Sequence, residues 1–395
     1  MAHPTLAIRA GVLCEGTQAP PRRNVTLLIA DGRVREIVAT DGPVSADRVL
    51  EAACVVPGLI NAHAHLEANG EPDLQSVVIL RTPLDRTLYA AQNARLALQS
   101  GVTTLRDLGA ADGTAIAVRD AVERGEHPGP TILPAGRAIC MTGGHGFFMG
   151  READGPWDAR KAVREQRKSG ATCIKLIATG GVLTKGAVPG QDQLSEEELR
   201  AAVHEAHTHG LRVAAHAIGT SGIKNALRAG VDSIEHGHLL DDEALALFAQ
   251  HGTALVPTLA AVTCIVENAA GGTMPDFVVR KAEALMEQAT ANIARAWRAG
   301  VRITGGSDAG TPFNYHQNYA YELELMVRQL GMTPLQALHA ATENGAALLG
   351  VDAGVLAPGR PADLLVLARD LTDDVRALRD PQVVVKAGAI AHERD

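Results

Sequence analysis

The chain has 395 residues, of which 46% are hydrophobic and 21% charged, and its formal net charge at pH 7 is −8. These values exclude a disordered chain, and the mild acidity excludes the basic surface that binds a nucleic-acid backbone. The five cysteines are scattered, no leader-like segment opens the chain and no uncharged apolar run reaches about 18 residues, so we expect a cytoplasmic protein that binds neither nucleic acid nor membrane.

Short apolar runs alternate with amphipathic helical stretches along the central part of the chain. One such stretch begins with a capping box at Ser195 and Glu198 and ends at Gly210, and another ends at Gly300. Strands that alternate with helices predict an α/β fold with a parallel sheet, and eight units predict a closed (β/α)8 TIM barrel. The eight predicted strands are 55–66, 101–109, 130–139, 172–181, 211–219, 231–237, 253–260 and 301–310.

The two ends of the chain have a different pattern, with short β-like segments and hairpin turns. Asp31-Gly32 and Asp41-Gly42 are hairpin signals near the N-terminus, and 362–370 and 383–393 are β-like segments near the C-terminus. We therefore predict a small β-sandwich domain built from both termini, with two independent β appendages as the alternative. The predicted boundaries are 1–56 and 353–395 for the two parts of the β domain and 57–352 for the barrel.

Polar side chains stand at or near the ends of five of the eight predicted strands. In a barrel of parallel strands these ends form one face, and residues two apart, such as His63 and His65, share a side of their strand. A divalent metal held by imidazoles and a carboxylate offsets the cost of burying such groups together. For any single histidine of this set, and for His236 in particular, the alternative is a hydrogen-bonded core residue. The residues concerned are His63, His65, Lys175, His216, His236 and Asp308.

These motifs together resemble those of the amidohydrolase superfamily of metal-dependent hydrolases. The segment 55–66, VVPGLINAHAHL, resembles the signature of its first strand, and 306–310, GSDAG, resembles that of its last strand. The segment 354–367, GVLAPGRPADLLVL, resembles the return of the chain into a composite β domain. Segments 135–146, 174–181 and 229–244 further resemble the branch that contains Xaa-Pro dipeptidases (prolidase-like), Xaa-Arg carboxypeptidases and imidazolonepropionase-like proteins.

The resemblance implies two divalent metal ions bridged by a carboxylated Lys175. Zinc is the expected metal, with manganese and cobalt as alternatives. Two cations would repel an ammonium, whereas a neutral amine reacts with CO2 to give a carbamate whose two oxygens can each bind one ion. A snorkelling lysine or a salt-bridge partner is the alternative for Lys175. The implied ligands are His63, His65 and Asp308 for the first ion and His216 and His236 for the second.

The expected reaction is hydrolysis of an amide-like C–N bond by a hydroxide that the two ions share. Asp308 would accept its proton and deliver it to the leaving nitrogen, and His145 would contact the substrate carbonyl by resemblance. A solvent-exposed loop histidine is the alternative for His145. We expect N-acyl amino acids or dipeptides as substrates, with release of the C-terminal amino acid. Ile218 stands where many dipeptidase-like relatives carry a tyrosine, which leaves room for a bulkier or less polar substrate.

Three other functions stay open at this point. A cyclic-amide hydrolase like imidazolonepropionase typically uses one metal and does not need the bridging Lys175. A non-catalytic barrel that binds small molecules has no need for Asp308. A nucleobase deaminase needs an added glutamate after the fifth strand, which the segment 216–220, HAIGT, does not offer. The expected partner is a small-molecule substrate, and the resemblance also implies a homo-oligomer.

Overall fold

The computed structural model describes residues 5–40 and 45–394, so the predicted turn at Asp41-Gly42 lies outside the described residues. The strands are β1 Leu6–Leu13, β2 Arg22–Ala30, β3 Arg33–Ala39, β4 Arg48–Pro57, β5 Leu59–Ala64, β6 Val102–Asp107, β7 Thr131–Pro134, β8 Ala138–Cys140, β9 Gly150–Glu152, β10 Cys173–Ile177, β11 Arg212–Ala217, β12 Ser233–His236, β13 Ala254–Val256, β14 Leu364–Leu367, β15 Val383–Lys386 and β16 Ala389–Glu393. The α-helices are α1 Leu74–Leu80, α2 Pro83–Gln99, α3 Thr114–Glu123, α4 Pro156–Ser169, α5 Glu196–Thr208, α6 Thr220–Ala229, α7 Asp242–His251, α8 Leu259–Glu267, α9 Asp276–Arg298, α10 Tyr319–Leu330, α11 Pro334–Ala340 and α12 Glu343–Leu349. Short 3-10 helices span Ala111–Gly113, Ala269–Gly271, His316–Asn318 and Val375–Arg379.

Both ends of the chain contribute to one seven-stranded sheet, in the order β16-β15-β14-β4-β1-β2-β3. β14 pairs antiparallel with β4, which places Leu364 opposite Pro57, and β4 pairs parallel with β1. The predicted turn between β2 and β3 is confirmed, because Asp31 and Gly32 have φ angles of 51° and 76°, as a type I′ hairpin requires. The composite origin of this sheet is confirmed, and two separate β appendages are the wrong alternative.

The central part of the chain forms two parallel sheets, as the alternation of strands and helices predicts. Their orders are β5-β6-β7 and β13-β12-β11-β10-β8-β9, and every residue of β5, β6, β10 and β12 is buried, which is typical of parallel strands covered by helices. The predicted capping box opens α5, with Ser195 and Glu198 each accepting the other's backbone N–H. Among the described residues, no helix combines the length and the apolar character needed to cross a bilayer.

Three predicted strands differ from the observed ones. The segment 130–139 splits into β7 and β8, because Gly136 turns the chain with a φ of 69° and the next amide donates to the Gln166 side chain. The segment 253–260 leaves its strand after Val256, because Thr258 has a φ of 49° and α8 begins at Leu259. The segment 301–310 makes isolated β-bridges at Ile303 and Ala309 instead of a regular strand.

This irregular segment nevertheless lies between β13 and β5. On one side Leu255 N–H donates to Arg302 O at 2.9 Å, and on the other Asp308 N–H donates to His63 O at 2.8 Å. Gly306 permits the close approach, because a Cβ there would lie 3.0 Å from the His63 backbone nitrogen. The backbone that carries Asp308 is therefore fixed beside the strand that carries His63.

A single residue, Gly58, separates β4 of the terminal sheet from β5 of the parallel region. Its N–H donates to Asp363 O at 2.9 Å, and the next amide, of Leu59, donates to Gly101 O at 2.9 Å. A Cβ at Gly58 would overlap with the side chain of Thr103, so only glycine fits. The strand that leads to His63 thus continues directly out of the terminal sheet.

Candidate metal centre

A pocket lies at the C-terminal ends of the parallel strands. β5 ends next to it, β10 presents two side chains to it and β11 and β12 one each, and the loops after β8 and β13 complete its rim. All seven side chains that the sequence predicts as ligands or catalytic groups line this pocket: His63, His65, His145, Lys175, His216, His236 and Asp308.

One side of the pocket, which we call the aspartate side, consists of His63, His65 and Asp308. Asp308 Oδ1 lies 3.3 Å from the Nε2 atom of each histidine. Two ligands bound tetrahedrally to zinc at about 2.1 Å are separated by about 3.4 Å, so this spacing fits an ion between the three. Asp308 Oδ1 is also buried without a hydrogen-bond partner among the described residues, and a cation would satisfy it.

His63 is oriented from behind by a carboxylate that the sequence analysis missed. Glu235 Oε2 lies 2.8 Å from His63 Nδ1, and Glu235 Oε1 accepts from Arg106 Nη2 at 2.9 Å. A ring that gives its Nδ1 proton to a carboxylate keeps the Nε2 lone pair free for a metal. Burial opposes ionisation of Glu235, but Arg106 and then His63 outweigh it and lower the pKa of Glu235 to about 2.

The opposite side, which we call the histidine side, consists of His216 and His236, whose ring centroids lie 4.5 Å apart. His216 Nε2 lies 3.4 Å from Gly180 O, and His236 Nδ1 lies 2.7 Å from Thr258 Oγ1. These contacts leave Nδ1 of His216 and Nε2 of His236 to face the pocket. Burial holds the pKa of both rings well below its usual value, so both are neutral, as metal ligands must be.

The backbone at the site is held in conformations that side chains rarely adopt. Thr258, His236 and Asp308 have φ angles of 49°, 72° and 59°. Glu322 stabilises the conformation at Thr258, because its side-chain oxygens accept hydrogen bonds from the next two amides, of Leu259 and Ala260, at 2.9 and 2.7 Å. Asn314 stabilises the conformation at Asp308, because its side-chain amide donates to Asp308 O at 3.0 Å. Such local strain, supported by buried partners, is common where side chains are aimed at a ligand.

Lys175 lies between the two sides, with its Nζ 3.5 Å from His63 Nε2. The side chain is buried, and no carboxylate among the described residues lies within the 4.0 Å that defines an ion pair. Burial lowers the pKa of the Lys175 ammonium to about 8, although Glu235 and Asp308 oppose this shift. The side chain is therefore shielded from solvent and forms no ion pair with a described carboxylate.

The two imidazoles beside Asp308 differ in their charge states. Burial opposes protonation of His65, but the hydrogen bond and the attraction to Asp308 outweigh it and raise the pKa of this ring. Burial, with the nearby Lys175, lowers the pKa of His63 to about 4. Burial opposes ionisation of Asp308, but His63, His65 and Lys175 together hold its pKa well below the usual value. Asp308 is thus a carboxylate at neutral pH.

His145 lines the pocket and is half-buried. Its ring centroid lies 4.6 Å from that of His216, its Nδ1 lies 2.9 Å from Thr184 Oγ1, and burial lowers its pKa to about 3. His238 also lines the pocket, with its ring centroid 5.7 Å from that of His236. His238 is not among the residues predicted from the sequence; the available signal is its position two residues after His236, with Gly237 between them.

The rest of the pocket wall is largely apolar. Ile218 is buried at the end of β11 and packs with the side chains of α8. The aliphatic residues of this wall include Ile177, Val182, Leu183, Ile218, Val262 and Ile265. Such a surface packs a nonpolar part of a ligand and excludes water.

The parallel strands and the histidine–aspartate cluster at their ends define a hydrolase of the metal-dependent type. Residues 54–391 match the amidohydrolase family, and the chain belongs to this family. It is a hydrolase that acts on C–N bonds.

Named relatives agree with this family. A Xaa-Pro dipeptidase whose crystal structure holds methionine in the active site superposes with a TM-score of 0.91 at 32% identity, covering 99% of this chain and 100% of that chain. The ochratoxinase of Aspergillus niger is 30% identical over 414 residues, which cover 95% of this chain and 84% of the relative. The imidazolonepropionase of Salinispora arenicola is 26% identical over 374 residues, covering 88% of this chain and 86% of the relative.

Proposed function

We propose that the protein is a binuclear metal-dependent amide hydrolase. The observation that carries this proposal is the convergence of all six predicted ligands on one pocket, with Asp308 Oδ1 buried and unpartnered between His63 and His65. The aspartate side would hold the first ion and the histidine side the second. Zinc is the proposed metal, because imidazoles dominate both sides.

We propose that Lys175 bridges the two ions as a carbamate. Its nitrogen would form a bond to the carbon of CO2 and lose a proton, which gives an anion with two oxygens. Its burial near His63, without a carboxylate partner among the described residues, supports this assignment. The carbamate would supply the negative charge that the histidine side lacks.

The side chains divide the chemistry between them. When bound, the ions would supply an activated water and a positive charge facing the scissile carbonyl. Asp308 accepts the proton of that water and passes it to the leaving nitrogen. The His145 ring lines the pocket, its Nε2 has no hydrogen-bond partner among the described residues, and we assign to this nitrogen the donation to the carbonyl oxygen.

For the substrate, we propose N-acyl amino acids or dipeptides, with release of the C-terminal amino acid. The Xaa-Pro dipeptidase relative supports this class. Ile218 and its aliphatic neighbours favour a bulky nonpolar group on the substrate.

Metal analysis combined with a substrate screen tests the proposal. Zinc-loaded protein is expected to hold two ions per chain and to hydrolyse members of a panel of N-acyl amino acids and dipeptides, whereas chelator-treated protein is inactive. Lys175→Met, or loading in CO2-depleted buffer, is expected to reduce the content to one ion. Two bound ions without hydrolysis of any amide, ester or lactone would instead indicate a binding protein.

A cyclic-amide hydrolase is the second candidate, favoured by the 26% identity to an imidazolonepropionase. The metal count separates the two candidates, because that class typically uses one ion. One zinc per chain together with hydrolysis of cyclic amides alone would support it and contradict the bridge at Lys175.

We also propose that the parallel strands and the segment 301–310 close into one (β/α)8 barrel over residues 57–352. Arg106 of β6 supports this closure, because it reaches Ser233 and Glu235 of β12 at 3.2 and 2.9 Å through the shared interior. The terminal sheet would then curl into a small sandwich that combines 1–56 with 353–395, with the cluster around Ile8 and Leu364 as its core.

A further inference from the structure

The loop that carries His145 is fixed by side chains from two other segments. Its own N–H donates to Gln193 Oε1 at 2.9 Å, and the N–H of Gly146 donates to Thr184 Oγ1 at 3.0 Å. The same Thr184 hydroxyl lies 2.9 Å from His145 Nδ1. The other ring nitrogen, Nε2, has no hydrogen-bond partner among the described residues.

The hydrogen bonds of the Thr184 hydroxyl identify the ring nitrogen that carries the proton. A hydroxyl has one proton and two lone pairs, and the Gly146 N–H already occupies one lone pair. Thr184 is only 1% exposed, so its proton needs a protein acceptor. Within the described part of the chain, His145 Nδ1 is the acceptor at hydrogen-bond distance. A proton on Nδ1 would leave the hydroxyl proton buried without an acceptor, which is costly.

We propose that Thr184 is a positioning residue that holds His145 in the neutral tautomer with its proton on Nε2. In this tautomer His145 presents an N–H donor to the pocket and does not act as a base. It can therefore stabilise negative charge that develops on a carbonyl oxygen. The identity of that oxygen rests on the proposed amide hydrolysis, whereas the tautomer is a property of the free protein.

The segment 181–184 that carries Thr184 is itself held in place. Lys281 of α9 donates to Thr184 O at 2.9 Å and to Val182 O at 3.4 Å, and no carboxylate among the described residues forms an ion pair with it. Gly181 lies against the imidazole, because a Cβ there would overlap with His145 Nε2. The ring is thus held in one orientation before a substrate arrives.

Nitrogen NMR of zinc-loaded protein labelled with 15N-histidine tests the tautomer directly. The His145 signals are assigned by their loss in His145→Gln. We expect a protonated Nε2 and an unprotonated Nδ1 in the wild-type protein, and a mixture of tautomers in Thr184→Val. A proton on Nδ1 in the wild-type protein would overturn the inference, even for an active amide hydrolase. The expected tautomer in a protein that hydrolyses no amide would overturn the proposed function alone.

Two matched variants give a second test on any amide that the enzyme hydrolyses. Thr184→Val keeps the shape without the hydroxyl and should lower kcat about 10- to 100-fold, with KM and metal content little changed. Thr184→Ser keeps the hydroxyl and should stay within about threefold of wild type, since the same hydrogen bond persists. Unchanged kcat in the valine variant, or equal losses in both, would contradict the role of the hydroxyl. If the valine variant does not fold, Thr184→Ala takes its place.

Discussion

The aspartate side and the histidine side of the pocket each offer two imidazoles, yet their surroundings differ in charge. The aspartate side contains the Asp308 carboxylate, and Glu235 stands behind one of its rings at 2.8 Å. The rings of the histidine side contact the neutral oxygens of Gly180 and Thr258, and no carboxylate among the described residues lies within 4.0 Å of them. The first ion that we propose would meet negative charge that the fold already provides, whereas the proposed second ion would depend on the carbamate that we propose at Lys175.

The two ions that we propose should therefore bind with different affinities. Desolvating a divalent cation is costly, and a preformed anionic site offsets that cost better than neutral imidazoles do. We therefore expect the aspartate side to fill first. Four substitutions either break this asymmetry or sharpen it.

Asp308→Asn should have the largest effect, because it removes the one carboxylate that faces both rings of the aspartate side. An amide can neither hold a cation equally well nor accept a proton, so kcat should fall by about 10³-fold or more. Turnover measured with metal content and circular dichroism checks this, since the fold should survive.

The control is Asp242→Asn, whose side chain is 96% exposed on α7 and should leave turnover unchanged. Retained activity in Asp308→Asn at normal metal content would contradict the proton transfer that we assign to this carboxylate.

Glu235→Gln and Thr258→Val compare the residues that orient a ring on each side. Glu235→Gln should weaken zinc binding about 10- to 100-fold on the aspartate side, because His63 loses a charged acceptor. Thr258→Val should weaken zinc binding less, about tenfold, on the histidine side, because its hydroxyl is neutral. Competition with a chelator during stepwise zinc loading measures both affinities. Equal losses would show that the charge behind His63 does not matter.

The same Glu235 variant has a consequence for acid stability. The folded pKa of Glu235 is about 2 and its ordinary value is 4.5, so its ionised form contributes stability that is present above pH 4.5 and is lost as the pH falls toward 2. The metal-free Glu235→Gln protein should lack this part of the pH dependence of unfolding. An unchanged slope between pH 4.5 and 2 would argue against an ionised carboxylate.

Ile218→Val should have the smallest effect, because it removes one methylene from the apolar wall next to the histidine side. Burial of one CH2 contributes about 0.8 kcal/mol, so kcat/KM for a bulky apolar substrate should fall about fourfold. Ile8→Val in the terminal sheet removes the same group from a fully buried site and should lower stability without changing kcat/KM. An effect of both variants on kcat/KM would point to lost stability as its cause.

Much of the site could be predicted because ligands and strands share one sequence pattern. His63, His216 and His236 each stand at or next to the end of an apolar run, and parallel strands bring such ends together. The capping box at Ser195 likewise needs only four consecutive residues. Periodicity and local turn chemistry are sufficient for such features.

The groups that orient the ligands could not be predicted in this way. Alternation along β12 places Glu235 on the opposite face from His236, and it is the φ of 72° at His236 that lets both serve one site. Thr184 and Glu322 act on residues 39 and 63 positions away, and no local pattern specifies such contacts. The domain boundaries at 57 and 352 stay predictions.

Because Gly58 alone joins the terminal sheet to β5, the outer strands serve as the anchor of the strand that presents the first two imidazoles. A chain cleavage or a fused tag that separated β14 from its neighbour β4 would make β5 more flexible while the helices around the pocket stayed folded. We expect such a protein to bind the proposed metal more weakly without unfolding globally, so the termini are poor sites for engineering.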